Sequence, residues 1–331
     1  MHSSAGMLLV RLKSMGDVLF TLPAVHALKA AFPQSVITFL VSKEYAPLLE
    51  GFTGLSSVIE LDRNVFKGLH PIKILKETFR VVRQARRPDL ALAIDFQGYG
   101  ETAFLTWASG ATQRWGSASR PGRQWAYTST VPRNLEVHPA ADNLNLLAEN
   151  GIKIGKIDNH FTLPKRVGIE AEEFLAARGI KPTEPILFIQ AITSAPQKNW
   201  PLGNYLKVAQ HWRQQGWQVL FGGGPGDVGI LEPARTAGYT VSAGASLLLS
   251  AGIAQRSTLI LGGDTGLVHL AVALGKRVVM TLRTLEAGSA HPFQHKEWSI
   301  APQSGGLIES IPVETVSREC ERAASELRAM P

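Results

Sequence analysis

The residues of this chain best suited to chemistry lie in the short segment GGDTGLVH, at positions 262–269. The segment follows the apolar run STLIL and leads into a helical pattern, which is typical of a turn from a buried strand into a helix. Backbone amides at such a helix start bind phosphate oxygens, and Gly266 lets the backbone approach a ligand closely. Thr265 adds a hydroxyl, and His269 follows it by one helical turn on the same face. Together these residues predict a phosphate-binding turn, although a lone helix histidine is more often a packed side chain than a ligand.

Two acids, Asp264 and Asp17, lie in turns of this kind, and each needs an explanation. The carboxylate of Asp264 would repel a diphosphate. Asp264 is therefore expected to accept a hydrogen bond from a sugar hydroxyl, to bind a metal or to hold the turn itself. The segment SMGD, residues 14–17, has the same layout of strand, polar turn and helix, with Asp17 near the helix start. Aspartate is a favoured N-cap residue and Gly16 permits the turn, so capping accounts for Asp17 as well as a functional role does. The residues alone leave both interpretations open.

Two further turns offer polar side chains to the same class of ligand. Thr193, Ser194 and Lys198 follow the strand pattern PILFI. Two hydroxyls and a flexible ammonium can contact a diphosphate, whereas the alternative for Lys198 is a solvated side chain in a polar loop. Asp227 ends the glycine-rich segment FGGGPGD and can accept hydrogen bonds from a ribose, as acids do in Rossmann folds.

Other site chemistries lack their motifs. The SMGD turn does not contain the dinucleotide fingerprint G-x-G-x-x-G, and the chain has neither a Walker lysine motif nor a G-x-S-x-G elbow. His, Asp and Glu are not clustered in a metal-binding pattern, and a D-x-D motif is absent. We therefore expect no metal and no cofactor beyond a substrate that carries phosphate.

Length and composition indicate a globular chain of two domains. The chain has 331 residues, 45% of them hydrophobic and 18% charged. It lacks an apolar run long enough to span a bilayer, and its first residues lack the apolar core of a signal peptide. The single cysteine, Cys320, excludes an internal disulfide and fits a reducing compartment. We expect a cytoplasmic protein.

The net charge of +7 is concentrated in the first half of the sequence. Eight bases and one acid, Glu77, lie between residues 63 and 87, and the basic loop QRWGSASRPGRQW adds Arg114, Arg120 and Arg123. Such patches attract phosphate groups on nucleic acid, anionic lipid or a phosphorylated sugar, and a solvated helix face is the alternative. Because the basic stretches lack a recognisable nucleic-acid motif, nucleic acid is not an expected partner.

Strand and helix patterns alternate through both halves of the chain. Short runs rich in Leu, Ile and Val, such as MLLVRL, VITFLV, PILFIQ and TLILGG, alternate with amphipathic segments. This predicts two Rossmann-like, doubly wound domains, residues 7–165 and 166–331, with ligands at the carboxyl ends of the strands in a central cleft. The amphipathic helix over residues 72–87 is expected to pack its apolar face on the sheet. Peripheral contact with the inner membrane is the alternative for it.

Four segments together resemble bacterial glycosyltransferase family 9, the lipopolysaccharide heptosyltransferases. They are LLVRLKSMGDVLFTLPAVHALK, DLALAIDFQGYGETAFLTWASG, KNWP and GGDTGLVHLAVALGK, and the similarity runs in order through most of residues 7–280. The resemblance implies an α/β chain with the GT-B fold, whose first domain takes the acceptor and whose second binds the nucleotide sugar. It implies inverting transfer of heptose from ADP-heptose to the phosphorylated lipopolysaccharide inner core, without a metal.

The resemblance also implies roles for individual residues. Asp17 matches the catalytic base and Lys198 matches a lysine that contacts the donor phosphates. The nucleotide-sugar motif is matched by Asp264, Thr265, Gly266, Leu267 and His269. The anionic acceptor would face basic residues of the first domain, namely Lys13, Arg63, Lys67, Arg114, Arg120 and Arg123.

The chain departs from the family pattern at two turns. The segment MTLRTLEAGSAHPF places Arg283 and Thr284 where the family has a GPT-like turn, and QAITSAPQ replaces an HPGAS-like turn. Three alternatives therefore stay open: another nucleotide-sugar donor, a nucleotide-sugar epimerase that needs no acceptor, and a non-catalytic relative that binds nucleotide or lipopolysaccharide.

Overall fold

The chain forms two compact units, Met1–Phe161 and Thr162–Pro331, in a computed structural model. The division follows Phe161, whereas the sequence interpretation placed it after Lys165. The structure describes residues 5–68, 70–117, 122–303 and 305–329.

The first unit is built around one parallel sheet, of six strands within the described residues, in the order β3-β2-β1-β4-β5-β6. Its strands are β1 Gly6–Val10, β2 Val36–Ser42, β3 Ser57–Leu61, β4 Leu90–Asp95, β5 Gln113–Ser117 and β6 Ser129–Val131. Its helices are α1 Met15–Leu19, α2 Leu22–Ala31, α3 Asn64–Lys67, α4 Pro71–Ala85, α5 Gly100–Ala108 and α6 Pro139–Glu149, with 3-10 turns at Lys43–Gly51 and Gln124–Ala126.

The second unit repeats this architecture, with a parallel sheet of six described strands in the order β12-β11-β10-β7-β8-β9. Its strands are β7 Ile186–Gln190, β8 Gln218–Phe221, β9 Thr240–Val241, β10 Leu259–Gly263, β11 Val278–Thr281 and β12 Ser299–Ile300. Its helices are α7 Lys165–Ala176, α8 Leu202–Gln214, α9 Glu232–Thr236, α10 Leu247–Arg256, α11 Gly266–Ala273 and α12 Val313–Ala329, with 3-10 turns at Pro196–Lys198, Pro225–Asp227, Lys296–Trp298 and Ile308–Ser310.

The central strands of both sheets are buried along their whole length. All five residues of β1 and of β10 are buried, because helices cover both faces of each sheet. This is why these strands appear in the sequence as continuous apolar runs without alternation. The expectation of doubly wound, parallel α/β domains is confirmed for each unit.

Strand order places a switch point in each sheet. In the first unit the chain passes from β1 to β2 on one side, and β4 later adds on the other side of β1. In the second unit β8 and β10 flank β7 in the same way. Ligands of such sheets bind beyond the carboxyl ends of the strands that meet at the switch point. The loops after β1, β4, β7 and β10 are therefore the expected places for ligand-binding residues.

The expected packing of helix α4 is wrong. Ile72, Leu75 and Phe79 are 67–70% exposed. Instead, α4 contacts the core of its domain through Val81 and Ala85, which are buried. At 100° per residue, the three exposed positions lie about 120° around the helix from this buried side.

The basic loop predicted over QRWGSASRPGRQW begins as a strand. Its first five residues form β5, which pairs with β4 although it lacks a run of apolar residues. The strand is held instead by close packing, because Gly116 lies against the ring of Tyr127 and a side chain there would collide with it. In the described part of the chain, no helix is both long and apolar enough to cross a bilayer.

Candidate functional site

Strand β10 ends with two glycines because strand β7 and the loop that follows it pass close to this end. A Cβ on Gly262 would lie 2.7 Å from the backbone oxygen of Gln190, and one on Gly263 would lie 2.8 Å from Cγ2 of Thr193. The loop after β7 therefore lies directly against the end of β10. This contact places Thr193 and the residues after it beside the start of α11.

Helix α11 begins with an extended N-cap residue, Thr265, whose hydroxyl accepts a hydrogen bond from the amide of Val268 at 3.3 Å. Gly266 and Leu267 supply the first two amides of the helix, for which no preceding turn offers a carbonyl. Amides at this position, together with the helix dipole, favour an anion. The turn therefore offers free amides to an anion, and phosphate binding by it stays a prediction.

Asp264 lies between two cationic or hydrogen-bonding side chains. One carboxylate oxygen accepts from Nζ of Lys198 at 2.6 Å, and the other accepts from Nε2 of His269 at 3.0 Å. Burial alone would raise the pKa of Asp264, but the hydrogen bonds and charges of His269 and Lys198 outweigh burial and hold this pKa at about 2. We call these three side chains the lysine–aspartate–histidine group.

This group explains how an acid is tolerated in a turn that is predicted to bind phosphate. Asp264 is only 17% exposed and His269 only 4%, whereas the side chain of Lys198 is 44% exposed. The ammonium of Lys198 has three donors and uses one of them on Asp264. Asp264 therefore fixes Lys198 at the mouth of the turn, and the exposed part of the ammonium can contact an anion.

The loop after β7 is held by its own polar groups. The amide of Thr193 donates to Oδ1 of Asn199 at 2.8 Å, and the Thr193 hydroxyl donates to the carbonyl of Ala195 at 2.9 Å. Thr193 is buried, whereas Ser194 is exposed. Asn199 was not among the predicted site residues, although it stands beside Lys198 in the KNWP motif.

Asp227 lies after β8, the neighbour of β7 on the side away from β10. Its Oδ2 accepts from the amide of Gly224 at 2.7 Å, so the carboxylate closes the glycine-rich turn. A role for Asp227 toward a ribose stays a prediction.

Asp17 is held from two sides in the first unit. It is the third residue of α1, and its Oδ2 accepts from the amide and the hydroxyl of Ser14, at 2.9 and 3.1 Å. The N-cap residue is thus Ser14, and Asp17 supports it from inside the helix. The other oxygen, Oδ1, pairs with Nη2 of Arg11 at 2.6 Å. The Asp17 side chain keeps 36% of its surface exposed, which leaves it accessible to a substrate hydroxyl.

Arg11 is a site residue that sequence reasoning missed. It is 5% exposed, and it donates to the carbonyls of Phe96 and, at 3.1 Å, Lys13. Burial lowers the pKa of Arg11, and the charge of Asp17 opposes that shift. The sequence feature that could have identified Arg11 is its place near the end of the apolar strand run LLVRL. A buried arginine is rare unless it is paired.

The loop after β4 supports the loop that carries Asp17. Oε1 of Gln97 accepts from the amides of Leu12 and Lys13, at 2.9 and 3.2 Å. Asp95, fully buried, accepts from the amide of Gln97 at 2.8 Å and from the hydroxyl of Tyr127 at 2.7 Å. Burial raises the pKa of Asp95, and these hydrogen bonds counter the shift. The segment DLALAIDFQGYGETAFLTWASG entered the sequence analysis only through the family resemblance, without a role for Asp95 or Gln97, so both were missed.

Two of the predicted acceptor residues meet at one aromatic ring. Nζ of Lys13 lies 5.9 Å and Cζ of Arg123 lies 6.0 Å from the ring centroid of Tyr99, which is 44% exposed. Arg123 also donates to the carbonyl of Gly98 at 2.6 Å. Both cations thus lie beside the loop after β4, at the switch point of the first sheet.

The other predicted acceptor residues have different partners. Nε of Arg63 is 3.9 Å from Glu101 at the start of α5, and Lys67 donates to Asn64 at 3.1 Å. Arg114 donates to the carbonyls of Ala126 and Ala111, at 2.8 and 2.7 Å, and so ties two turns together. Arg120 is outside the described residues.

No group of three or more His, Cys, Asp or Glu side chains in the described ranges is placed to hold a metal ion. Independence from a metal stays a prediction.

Solved structures place the fold among GT-B glycosyltransferases. A glycosyltransferase family 9 structure from Veillonella parvula has a TM-score of 0.85 and 19% identity and covers 98% of this chain and 99% of its own. The ADP complex of the Escherichia coli heptosyltransferase WaaC has a TM-score of 0.79 and 20% identity, covering 96% of this chain and 100% of its own. The expected GT-B fold is therefore confirmed.

Sequence comparison narrows this class to one family. The family model of glycosyltransferase family 9 (heptosyltransferase) matches residues 78–298, and the chain belongs to this family. Lipopolysaccharide heptosyltransferase 1 of Pseudomonas aeruginosa is 28% identical over 282 residues, which is 81% of this chain and 75% of the relative. The chain is thus a glycosyltransferase of the heptosyltransferase family.

Proposed function

We propose that this chain transfers heptose from ADP-heptose to a hydroxyl of the phosphorylated lipopolysaccharide inner core, with inversion and without a metal, on the cytoplasmic side of the inner membrane. The observation that carries the proposal is the lysine–aspartate–histidine group at the start of α11, in a member of the heptosyltransferase family. The similarity to a lipopolysaccharide heptosyltransferase supports the acceptor, and the ADP complex of WaaC supports the donor nucleotide.

The second domain would bind the donor and stabilise its leaving group. Negative charge grows on the diphosphate as the bond between it and the anomeric carbon breaks. Lys198 and the first amides of α11 are fixed donors for that charge, and fixed donors stabilise a transition state without reorganising. Asp264 keeps the ammonium in place, and Asp227 would accept a hydrogen bond from the ribose.

The first domain would bind and activate the acceptor. Asp17 takes the proton of the acceptor hydroxyl while the oxygen forms its bond to the anomeric carbon on the face opposite the diphosphate. Arg11 and Ser14 hold the carboxylate in one orientation for this transfer. Lys13 and Arg123, which flank the Tyr99 ring, would contact phosphate groups of the acceptor.

A product analysis tests this proposal against its alternatives. The chain is incubated with ADP-heptose, with and without a heptose-free phosphorylated core, and with a chelator in a parallel sample. We expect ADP release that depends on the acceptor and is unchanged by the chelator, and a product of inverted anomeric configuration. An isomerised donor formed without acceptor would identify an epimerase, and binding without turnover would identify a non-catalytic relative.

A further inference from the structure

Helix α4 carries three large apolar side chains that its own domain leaves uncovered. Ile72, Leu75 and Phe79 are 69%, 70% and 67% exposed. At 100° per residue they fall within about 60° of one another, so they form one stripe along the helix. We call this stripe the apolar ridge. Three such side chains on one helix face are unusual for a surface that contacts only water.

The orientation of α4 on its domain is fixed, so the ridge is not an alternative core face. Val81 and Ala85 are buried beneath the helix. Arg80 pairs with Glu77 at 2.6 Å, and Glu77 in turn accepts from the amide of Asp62, the residue after β3, at 2.8 Å. Turning the ridge toward the sheet would break these contacts and expose the residues that now face the core.

The ridge is surrounded by positive charge. Between residues 71 and 87 the chain has six bases and a single acid, Glu77, whose carboxylate is taken up by Arg80. On a helical projection Lys76 and Arg83 lie directly beside the ridge. Lys73, Lys76 and Arg83 are all exposed. An apolar stripe bordered by lysine and arginine is the pattern of helices that lie in the interface of an anionic bilayer.

The neighbouring helix carries an exposed aromatic side chain of its own. Right-handed crossovers place α4 and α5 on the same face of the first sheet, and Nε of Arg86 donates to the carbonyl of Ala108, at the end of α5, at 2.8 Å. On α5, Trp107 is 47% exposed, and its ring meets that of Trp125 at a centroid distance of 5.7 Å. Tryptophan is favoured at membrane interfaces because its ring is apolar and its N–H is polar.

We infer that the apolar ridge of α4 docks onto the surface of an anionic phospholipid bilayer. The choice of occupant follows from charge. A second copy of this chain seated on the ridge would bring two basic helices together, whereas phosphate headgroups neutralise the bases and the acyl region receives the ridge. The inference rests on α4 and goes beyond the proposed reaction, which does not require it.

Vesicle co-sedimentation of the full chain, without donor or acceptor, tests the inference. We expect the wild-type chain to pellet with phosphatidylglycerol-containing vesicles and not with pure phosphatidylcholine, and to be released by salt. The variant Ile72→Ser/Leu75→Ser/Phe79→Ser should lose about tenfold or more in binding. The matched control Leu135→Ser, at a position 74% exposed outside α4, should bind like the wild type. Wild-type-like binding of the triple variant would overturn the inference.

A labelled variant gives a second readout that does not depend on removing the ridge. Cys320 is fully buried, so a polarity-sensitive dye can be attached to Ile72→Cys, with Leu135→Cys as the control. We expect the emission at position 72 to shift to the blue on anionic vesicles and that at position 135 to stay unchanged. An unshifted emission, or a dimer that the triple variant abolishes, would contradict a lipid occupant. Turnover of a soluble acceptor by the triple variant, measured separately, reports on the proposed function alone.

Discussion

At the scale of single residues, the site depends on how each acid is neutralised. Asp264 is buried, and burial disfavours a carboxylate unless its charge is matched. Lys198 and His269 supply that match, one at each carboxylate oxygen. The sequence predicted that all three residues belong to one site. It did not predict that Asp264 contacts the other two, because Lys198 is 66 residues away in the chain.

The first prediction concerns stability and pH. The pKa of Asp264 is lowered from 3.8 to about 2 in the folded chain, so the charged carboxylate stabilises the fold above about pH 4, and this stability is lost as the pH falls toward 2. The loss amounts to about 2 kcal/mol. The free energy of unfolding of wild type and Asp264→Asn, measured from pH 6 to pH 2, should converge by this amount in acid. Parallel curves would show that Asp264 has an ordinary pKa.

The second prediction concerns the lysine. Lys198→Gln should weaken ADP binding by about tenfold or more, because it removes a charge-assisted contact to phosphate. Lys181→Gln is the matched control, since Lys181 pairs with Glu184 on the surface of the same domain. Calorimetric titration of both variants with ADP measures the effect. Equal affinity of Lys198→Gln and the wild type would exclude a phosphate contact for this lysine.

At the scale of elements, the bounds of the strands that meet at the switch points were predictable from the sequence. Strand β5 and the packing of helix α4 were not. The predicted runs PILFIQ and TLILGG each differ by one residue from β7 and β10, since a continuous apolar run is local information. Strand β5 was missed because it is held by the packing of Gly116 against Tyr127, which is tertiary. The predicted packing of α4 was wrong because the helix has two apolar faces, one through Ile72 and one through Val81. The spacing of the apolar residues does not say which of these faces meets the sheet.

The third prediction concerns the close approach of strands β7 and β10 at their carboxyl ends. Gly262→Ala should destabilise the second domain by about 1–3 kcal/mol, because the added Cβ would lie 2.7 Å from the Gln190 oxygen and from Cγ2 of Val268. Gly203→Ala, in α8 with open space around its Cβ, should be neutral or slightly stabilising. Chemical denaturation of both variants gives the comparison. A neutral Gly262→Ala would mean that the ends of strands β10 and β7 can move apart.

At the scale of the whole molecule, one architecture is used twice with different chemistry at its switch point. The first domain places Asp17 and Arg11 there, near Lys13 and Arg123 at the Tyr99 ring. The second domain places the lysine–aspartate–histidine group there. Strand order is the same in both when each is counted from its own first strand. Alternating apolar runs in the sequence are sufficient to predict this duplication. The supporting contacts of Arg11 with Phe96 and of Gln97 with Leu12 were not predictable, because each joins residues 85 positions apart.

The fourth prediction concerns the nucleotide. If the second domain binds ADP as its donor nucleotide, ADP at about a hundred times its dissociation constant should stabilise the folded chain by about 2.7 kcal/mol. UDP, GDP, CDP and NAD at the same concentration should give smaller shifts of the thermal midpoint. A preference for UDP or GDP would keep the fold and the diphosphate site and replace the donor.

The most direct test of the proposed function is the turnover of Asp17→Asn, measured beside its affinity for ADP. Asparagine keeps the size of the side chain and removes the proton acceptor, so transfer should fall by about a thousandfold. The dissociation constant for ADP should stay that of the wild type, because the nucleotide is assigned to residues of the second domain. Undiminished transfer by Asp17→Asn would contradict the assignment of Asp17 as the base that activates the acceptor.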